Sequence, residues 1–267
     1  MPELPEVETV VRGLQTTITG EIIQELEAIW GKALLADDPY ESIVGQTIIG
    51  VRRRAKYIII DLNNGALLVH LRMTGKLTPV FPEKHVTVML HFESGKSLYF
   101  QDTRKFGRME YVADPDEHLA HLGPEPLSEE FTPETFYSML RSKKRQIKPL
   151  LLDQTFLAGL GNIYVDEALF RAGIQPLSVA NAIPRKRATS LHSAIRSILS
   201  ASIKAQGTTI INFSHGENSS GAYQAALQVY GRKDEPCLIC ETPITKITVG
   251  QRGTHYCMRC QRKYLTS

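Results

Sequence analysis

The chain begins Met1-Pro2-Glu3-Leu4-Pro5-Glu6, and its second and third residues form a candidate reactive pair. Start methionines are commonly trimmed ahead of a small residue, and proline qualifies. Trimming leaves Pro2 with a free secondary amine beside the carboxyl group of Glu3. An α-amino group titrates near ~8 and a lysine near ~10.4, so at pH 7 roughly a tenth of the terminal amine is neutral and nucleophilic. Behind the pair, Val7, Val10, Val11 and Leu14 recur at helical spacing. Pro2 then lies at or just before a first helical turn, where proline is tolerated. The positive end of the helix disfavours a second positive charge there and pushes the amine toward neutrality. Many chains begin Met-Pro-Glu with no chemical meaning, so the pair alone does not establish a catalyst.

A second constellation is the set Cys237, Cys240, Cys257 and Cys260, spaced C-x2-C-x16-C-x2-C. Each C-x-x-C pair can turn two sulfurs toward one tetrahedral ion, which is the spacing of a four-thiolate zinc site with a hairpin between the pairs. Four protein ligands leave no position for water or substrate, so the expected role is structural. Two disulfides in a secreted domain are the alternative, but the N-terminus carries no signal-peptide pattern. His255 lies between the pairs and is not needed as a ligand.

The elements that must position these groups fall into two regions. Residues 21–29, 47–54, 57–62, 66–71, 86–92, 97–101 and 108–112 are short and rich in β-branched or aromatic residues. Asn63-Asn64-Gly65 and Glu93-Ser94-Gly95 mark hairpins between them. The pattern predicts a β-sandwich or barrel. Residues 121–126 read as a linker, and helices follow over 133–144, 147–152, 163–172 and 184–205. The basic run opening the last helix opposes the helix dipole, so helix stability alone does not account for it. At 267 residues the chain suits two domains, and no apolar stretch approaches the ~18 residues of a membrane span. Net charge is +3, but residues 1–140 hold 13 Lys and Arg against 21 Asp and Glu, and residues 141–267 hold 18 against 7. A basic half attached to an acidic one points to a polyanion-binding module.

Several cationic segments fit that partner. Arg52, Arg54 and Lys56 share one face if the strand continues through them, and three cations on one face call for an anion such as phosphate. Met73 precedes the turn residue Gly75, and Phe106 is flanked by Arg104, Lys105 and Arg108. Beside arginines, an apolar turn residue can act as a wedge between base pairs, although core packing is the commoner use. Gly159-Leu160-Gly161-Asn162-Ile163 opens a helix with two glycines and a cap residue, a potential anion site as well as a plain helix start. Arg252 sits at the expected tip of the zinc hairpin.

Taken together these segments resemble the bacterial formamidopyrimidine-DNA glycosylase family, which removes oxidised purines from DNA. The resemblance runs end to end. It rests on the Pro-Glu-Leu-Pro-Glu-Val-Glu start, Arg-Arg-Ala-Lys-Tyr at 53–57, Asp-x-Arg-Lys-Phe-Gly at 102–107, Gly-Asn-Ile-Tyr at 161–164 and the C-terminal cysteines. It implies a two-domain α+β protein. An antiparallel β-sandwich with flanking helices occupies 1–122, a linker 123–130, a helix–two-turns–helix DNA-binding domain 131–230 and a zinc-ribbon finger 231–267. It further implies that Pro2 is the nucleophile and Glu3 the acid. Lys56, His70, Asn162 and Arg252 would hold phosphates around an everted nucleotide, with Lys56 and Arg252 counted in the catalytic set. Met73, Arg104 and Phe106 would fill the gap left in the duplex, and His85 and Lys143 are further DNA contacts. A loop at 214–223 would close over the base. Leu4 favours the purine branch over the related endonuclease VIII branch, whose start is Pro-Glu-Gly-Pro.

The implied activity is base-excision repair by a bifunctional glycosylase and apurinic-site lyase, with β,δ-elimination through a Schiff base on proline. It needs one structural zinc and no redox or organic cofactor. The expected partner is double-stranded DNA containing oxidised purines, met by a cytoplasmic monomer with no membrane association. An endonuclease VIII-like enzyme for oxidised pyrimidines and a catalytically silent DNA-binding protein are the alternatives, together with a hydrolytic glycosylase or nuclease using a carboxylate and water. An intact Met1 marks the silent protein, and the absence of any borohydride-trapped species marks the hydrolytic one.

Overall fold

A computed structural model of the chain describes residues 1–35, 39–208 and 222–266, with the side chains of 39 and 40 left aside. These residues divide into two compact units, Met1–His121 with Ala205–Ala222, and Leu122–Lys204 with Tyr223–Ser267.

In the first unit, helix α1 (Leu4–Ile18) turns Val7, Val10, Val11, Leu14 and Ile18 inward, the spacing expected from the sequence. Strands follow as β1 (Ile23–Glu27), β2 (Leu34–Leu35), β3 (Ile48–Arg54), β4 (Tyr57–Leu62), β5 (Ala66–His70), β6 (Gly75–Thr78), β7 (Val86–Phe92), β8 (Ser97–Asp102) and β9 (Arg108–Val112). Two short helices, α2 (Pro39–Ile43) and α3 (Pro115–His118), flank them. One sheet has the order β1-β7-β8-β6 and the other β2-β9-β5-β4-β3, with every pairing antiparallel except β2 with β9. A single apolar cluster draws Leu90, Phe92 and Phe100 from the first sheet, Ile58, Ile60 and Val69 from the second, and the inner face of α1. The expected sandwich is therefore present, with each sheet burying one face against this core. Strands β2 and β6 fell outside the expected set because two and four residues are too few to show alternation. At the β4–β5 hairpin Gly65 has φ 72°, and a Cβ there would lie 2.5 Å from the Val112 carbonyl oxygen, so only glycine fits.

The second unit contains α4 (Pro133–Arg141), α5 (Ile147–Leu152), α6 (Asn162–Ala172) and α7 (Arg185–Lys204), then the hairpin β10 (Thr245–Val249) and β11 (Arg252–Tyr256). Thr132 caps α4 by accepting the Thr135 N–H at 3.1 Å. Helix α6 is buried along nearly its whole length, and Tyr164 Oη lies 2.6 Å from Ser202 Oγ on α7. The basic start of α7 has protein partners: Arg187 donates to the Ala172 carbonyl at 3.1 Å and Arg185 lies 3.6 Å from Glu134.

Within this unit the zinc hairpin is fastened to α6 by buried charge. Lys148 Nζ on α5 donates to Asp166 Oδ1 at 2.6 Å, and both side chains are fully shielded from solvent. The second Asp166 oxygen accepts the His255 N–H of β11 at 2.8 Å, and Lys148 reaches the Gly253 carbonyl at 3.2 Å. Removing one member of such a pair strands a charge in the interior, which typically costs ~3–5 kcal/mol, whereas replacing both with apolar groups can be neutral. Asp166→Asn should therefore lower the stability of the second unit by about that amount, and Lys148→Met with Asp166→Leu should recover most of it. Denaturant unfolding followed by thiol accessibility of the four cysteines checks both.

Candidate functional site

The first turn of α1 is held more firmly than a chain end usually is. Glu6 is fully buried, and its Oε2 accepts the Glu3 N–H at 2.9 Å. Its Oε1 accepts the N–H and hydroxyl of Thr208 at 2.9 and 3.1 Å. Pro2 is buried and Glu3 is 2% exposed. Arg53 Nε on β3 donates to Glu8 at 3.0 Å, and Gln15 donates to the Val51 carbonyl at 2.8 Å. Helix α1 therefore runs against β3 with its first turn toward the β3–β4 turn.

Strand register collects the other candidates of this unit at the same end. Tyr57, His70 and Arg108 stand side by side at the ends of β4, β5 and β9. In the facing sheet Gly75 pairs with Asp102, and Val86 with Gln101. The turns carrying Lys56, Met73, His85, and Arg104 with Phe106 thus project from one end of the sandwich. Lys56 lies in a two-residue turn rather than on a strand, because Ala55 turns the chain with φ 53°. That corrects the expectation of a three-cation face. Arg52 is also answered by the protein itself, through Asp61 at 3.0 Å and Asp116 at 3.1 Å.

His70 is held as a neutral imidazole. Its Nδ1 accepts the Arg72 N–H at 3.0 Å, which leaves Nε2 to carry the proton and donate. Burial, then the charges of Arg72 and Lys56, push its pKa down to about 3. Tyr57 meets the ring edge-on at 4.8 Å. Phe106 is 50% exposed with the Arg104 guanidinium 4.8 Å above its ring, so it stands outside the core. Met73 is half-buried, and Arg104 and His85 are exposed. Lys105 and Arg108, on either side of Phe106, stack over Trp30 at 5.5 and 5.4 Å.

In the second unit Gly161, not Asn162, is the N-cap of α6. Asn162 occupies the first helical position and donates its amide to the Gly253 carbonyl at 3.0 Å, while its Oδ1 is buried without a hydrogen-bond partner. Gly250 and Gln251, with φ 55° and 61°, close the hairpin tip, and Arg252 beside them is exposed. Lys143 is exposed in the turn after α4. The sulfurs of Cys237, Cys240, Cys257 and Cys260 lie within 4.8 Å of one another. Tetrahedral zinc with Zn–S near ~2.3 Å places sulfurs ~3.8 Å apart, so the donor set suits one structural zinc. His255 is buried against Asp166 and stands outside this set. The loop expected at 214–223 lies outside the described residues up to 221.

Sequence reasoning missed the residues that hold the candidates still. Glu6, Asp102, Lys148, Asp166 and Glu167 are all buried, and Glu167 accepts three consecutive N–H groups, from Gln228, Val229 and Tyr230, at 2.8–2.9 Å. Burial pushes the Glu167 carboxyl up and those donors draw it back. Four carried a faint signal: Glu6 and Asp102 inside quoted motifs, and Asp166-Glu167 as adjacent acids on an otherwise apolar helix.

Comparison with known proteins identifies three family models along the chain. They are the formamidopyrimidine-DNA glycosylase N-terminal domain over residues 1–109, the formamidopyrimidine-DNA glycosylase H2TH domain over 122–214, and a zinc finger found in FPG and IleRS over 234–262. The formamidopyrimidine-DNA glycosylase of Bacillus licheniformis is 42% identical, over 98% of this chain and 100% of that protein. The Lactococcus lactis enzyme, solved non-covalently bound to DNA containing an AP site, is 39% identical with a TM-score of 0.90, covering 98% of this chain and 100% of that one. A MutM structure in complex with DNA containing carbocyclic 8-oxo-G gives a TM-score of 0.91 at 39% identity, with the same coverage.

Two outcomes follow from this geometry. Because the folded pKa of His70 lies below its unfolded value of about 6.5, the unfolded chain takes up the proton first as pH falls. Stability is undiminished above that value and declines as pH drops through 6.5 toward about 3. Nitrogen-detected NMR should show an Nε2–H tautomer that does not titrate between pH 5 and 8, and His70→Gln should flatten the acid side of the stability profile. Cys240→Ser should lose zinc and weaken DNA binding while the first unit stays folded, since four-thiolate sites contribute ~10–16 kcal/mol of apparent folding free energy in isolated fingers. Metal analysis with no stoichiometric zinc, or a variant that binds DNA normally, contradicts it.

Proposed function

The chain belongs to the formamidopyrimidine-DNA glycosylase family, and we propose that Pro2 and Glu3 are the residues through which it carries out that chemistry. The protein is a base-excision repair enzyme, a DNA glycosylase and apurinic-site lyase acting on double-stranded DNA with oxidised purines. The observation that supports the residue assignment is the tethering of the first turn: Glu6 fixes the Glu3 N–H at 2.9 Å, and the Arg53–Glu8 and Gln15–Val51 bonds turn that end of α1 toward the β3–β4 turn that carries Lys56.

A base stacked in a duplex is out of reach of any side chain, so the damaged nucleotide must first rotate out, at a cost of a few kcal/mol. Met73, Arg104 and Phe106 offset that cost by entering the gap. Lys56 and His70 in the first unit, and Asn162 and Arg252 in the second, contact phosphates, and Lys143 is a further DNA contact. His85 contributes a further DNA contact. With Met1 removed, the Pro2 nitrogen attacks the anomeric carbon of the sugar and the base departs with the bonding electrons. Glu3 gives a proton to the ring oxygen as the sugar opens. A secondary amine yields a cationic iminium, which acidifies the neighbouring sugar C–H. Loss of that proton expels the 3′ phosphate, and a second elimination expels the 5′ phosphate. One nitrogen thus accounts for base removal and strand cleavage. Zinc contributes the folding of the hairpin bearing Arg252.

Among the described residues no helix is long and apolar enough to cross a membrane. A cytoplasmic monomer remains the cell-level reading of the family resemblance. The segment boundaries at 122, 130 and 230 belong to the same reading.

Mass spectrometry should find a mature chain beginning at Pro2, and borohydride should trap it covalently on 8-oxoguanine DNA. Pro2→Gly should keep a primary amine and residual activity. An N-terminally acetylated preparation that cut lesion DNA at the normal rate would place the nucleophile elsewhere.

A further inference from the structure

We infer that Asp102 is the positioning residue that holds the DNA-inserting turns in one shape, an inference that rests on the insertion roles proposed for Met73, Arg104 and Phe106. Asp102 is 1% exposed at the end of β8. Its Oδ1 accepts the Thr74 hydroxyl and, at 3.1 Å, the Arg104 N–H. Its Oδ2 accepts the Gly107 N–H at 2.6 Å. The Thr74 hydroxyl oxygen also receives the Arg104 N–H at 3.2 Å, which joins the two turns directly. The backbone of the same residue adds two bonds: its N–H donates to the His85 carbonyl at 2.9 Å and its carbonyl accepts the Lys105 N–H at 3.3 Å. One residue therefore fastens the turn after Met73, the turn carrying Arg104 and Phe106, and the segment at His85.

The arrangement uses both carboxylate oxygens as acceptors, so the isosteric amide cannot replace it. In whichever orientation an asparagine settles, its NH2 group faces an N–H or O–H that needs an acceptor. Gly107 has the matching requirement on the other side. A Cβ there would lie 2.5 Å from Phe100 Cζ and 3.1 Å from Asp102 Oδ2, so glycine alone lets its N–H approach the carboxylate. Of the side chains above this frame, Arg104 and Phe106 are exposed and Met73 is half-buried. A wedge that enters a base stack loses freedom on insertion, and fixing its turn beforehand removes part of that loss. Asp102 touches neither DNA nor the reacting atoms in this reading; it acts through Phe106 and Arg104.

The test compares full-length zinc-loaded variants on a duplex with a paired 8-oxoguanine and on abasic DNA, which has no base to unstack. Asp102→Asn should slow cleavage of the paired lesion roughly tenfold to a hundredfold, the range of one charge-assisted hydrogen bond. Borohydride trapping on abasic DNA should change by less than about twofold. Thr74→Val removes only the hydroxyl and should give the same pattern in weaker form, with Thr74→Ser restoring it; this pair decides the matter if Asp102→Asn does not fold. In a Phe106→Ala background Asp102→Asn should add little, because residues acting through one element are not additive. Equal losses on both substrates, full additivity with Phe106→Ala, or a normal Thr74→Val enzyme overturns the positioning role. A Phe106→Ala enzyme with undiminished activity on the paired lesion instead overturns the insertion reading itself, and the inference falls with it. If Phe106→Ala is impaired while Asp102→Asn and Thr74→Val are normal, only the inference fails.

Discussion

The proposed nucleophile, Pro2, is placed only as well as the chain end that carries it is held, and chain ends ordinarily fray. The Glu6 carboxylate meets this constraint. It binds the Glu3 N–H with one oxygen and Thr208 with the other, joining positions 202 residues apart in sequence. Gly207 has no side chain where a Cβ would lie 2.9 Å from Glu6 Oε1, so the second segment can approach. Behind the carboxylate the apolar face of α1 is locked into the sandwich core, which leaves the helix no freedom to slide along β3. Three levels of structure, a helix stripe, a buried acid and a missing side chain, converge on the position of one nitrogen.

The same device recurs. Asp102, Asp166 and Glu167 are also buried, and each turns its oxygens toward N–H or ammonium groups of segments that carry candidate DNA contacts or the zinc hairpin. A buried carboxylate is expensive to desolvate and becomes favourable only when several donors converge on it. Each of these has them. Some of the acidic side chains of residues 1–140 are withdrawn from solvent or matched within the fold. Glu3, Glu6 and Asp102 are inside, and Glu8, Asp61 and Asp116 are matched by Arg53 and Arg52. What projects from the end of the sandwich that bears the proposed site is mostly cationic, apolar or imidazole.

Legibility followed sequence distance. The helix stripe of α1, the hairpin glycines, the longer strands and the cysteine spacing are local patterns, and the folded chain repeats them closely. Lys56 was misplaced by a single local detail, the left-handed Ala55, which ends β3 and turns what read as a cationic strand face into a hairpin. Asn162 read as a cap because it stands next to one; the side chain has other work, bonding Gly253 across 91 residues. The partners of Glu6, Lys148 and Glu167 are equally remote, and no periodicity announces a hydrogen bond between positions 6 and 208. Motif resemblance found the residues that would touch DNA, which stand in short runs. It gave no role to those that hold these runs in place, whose partners are scattered even where, as with Glu6 and Asp102, the residue itself stands inside a motif.

The turns themselves show why these supports are needed. Ala55, Arg72, His85 and Lys105 all adopt left-handed backbone, with φ between 53° and 66°, at the same end of the sandwich. Each conformation costs a non-glycine residue about 1–2 kcal/mol. Glycine would remove the strain, but it would also loosen the turn in the unfolded and folded chain alike and delete the side chain. Three of the four positions carry a cation or an imidazole, so glycine there would strip those side chains from the proposed DNA-facing end. Strain of this kind persists only where surrounding structure over-determines it. At Lys105 that structure is Asp102, whose carbonyl takes the Lys105 N–H while its carboxylate holds the residues on either side. At Arg72 it is the neutral ring of His70, which accepts the strained residue's own N–H. Protonating that ring would remove the acceptor of the Arg72 N–H, so the lowered pKa of His70 and the shape of the turn before Met73 are linked.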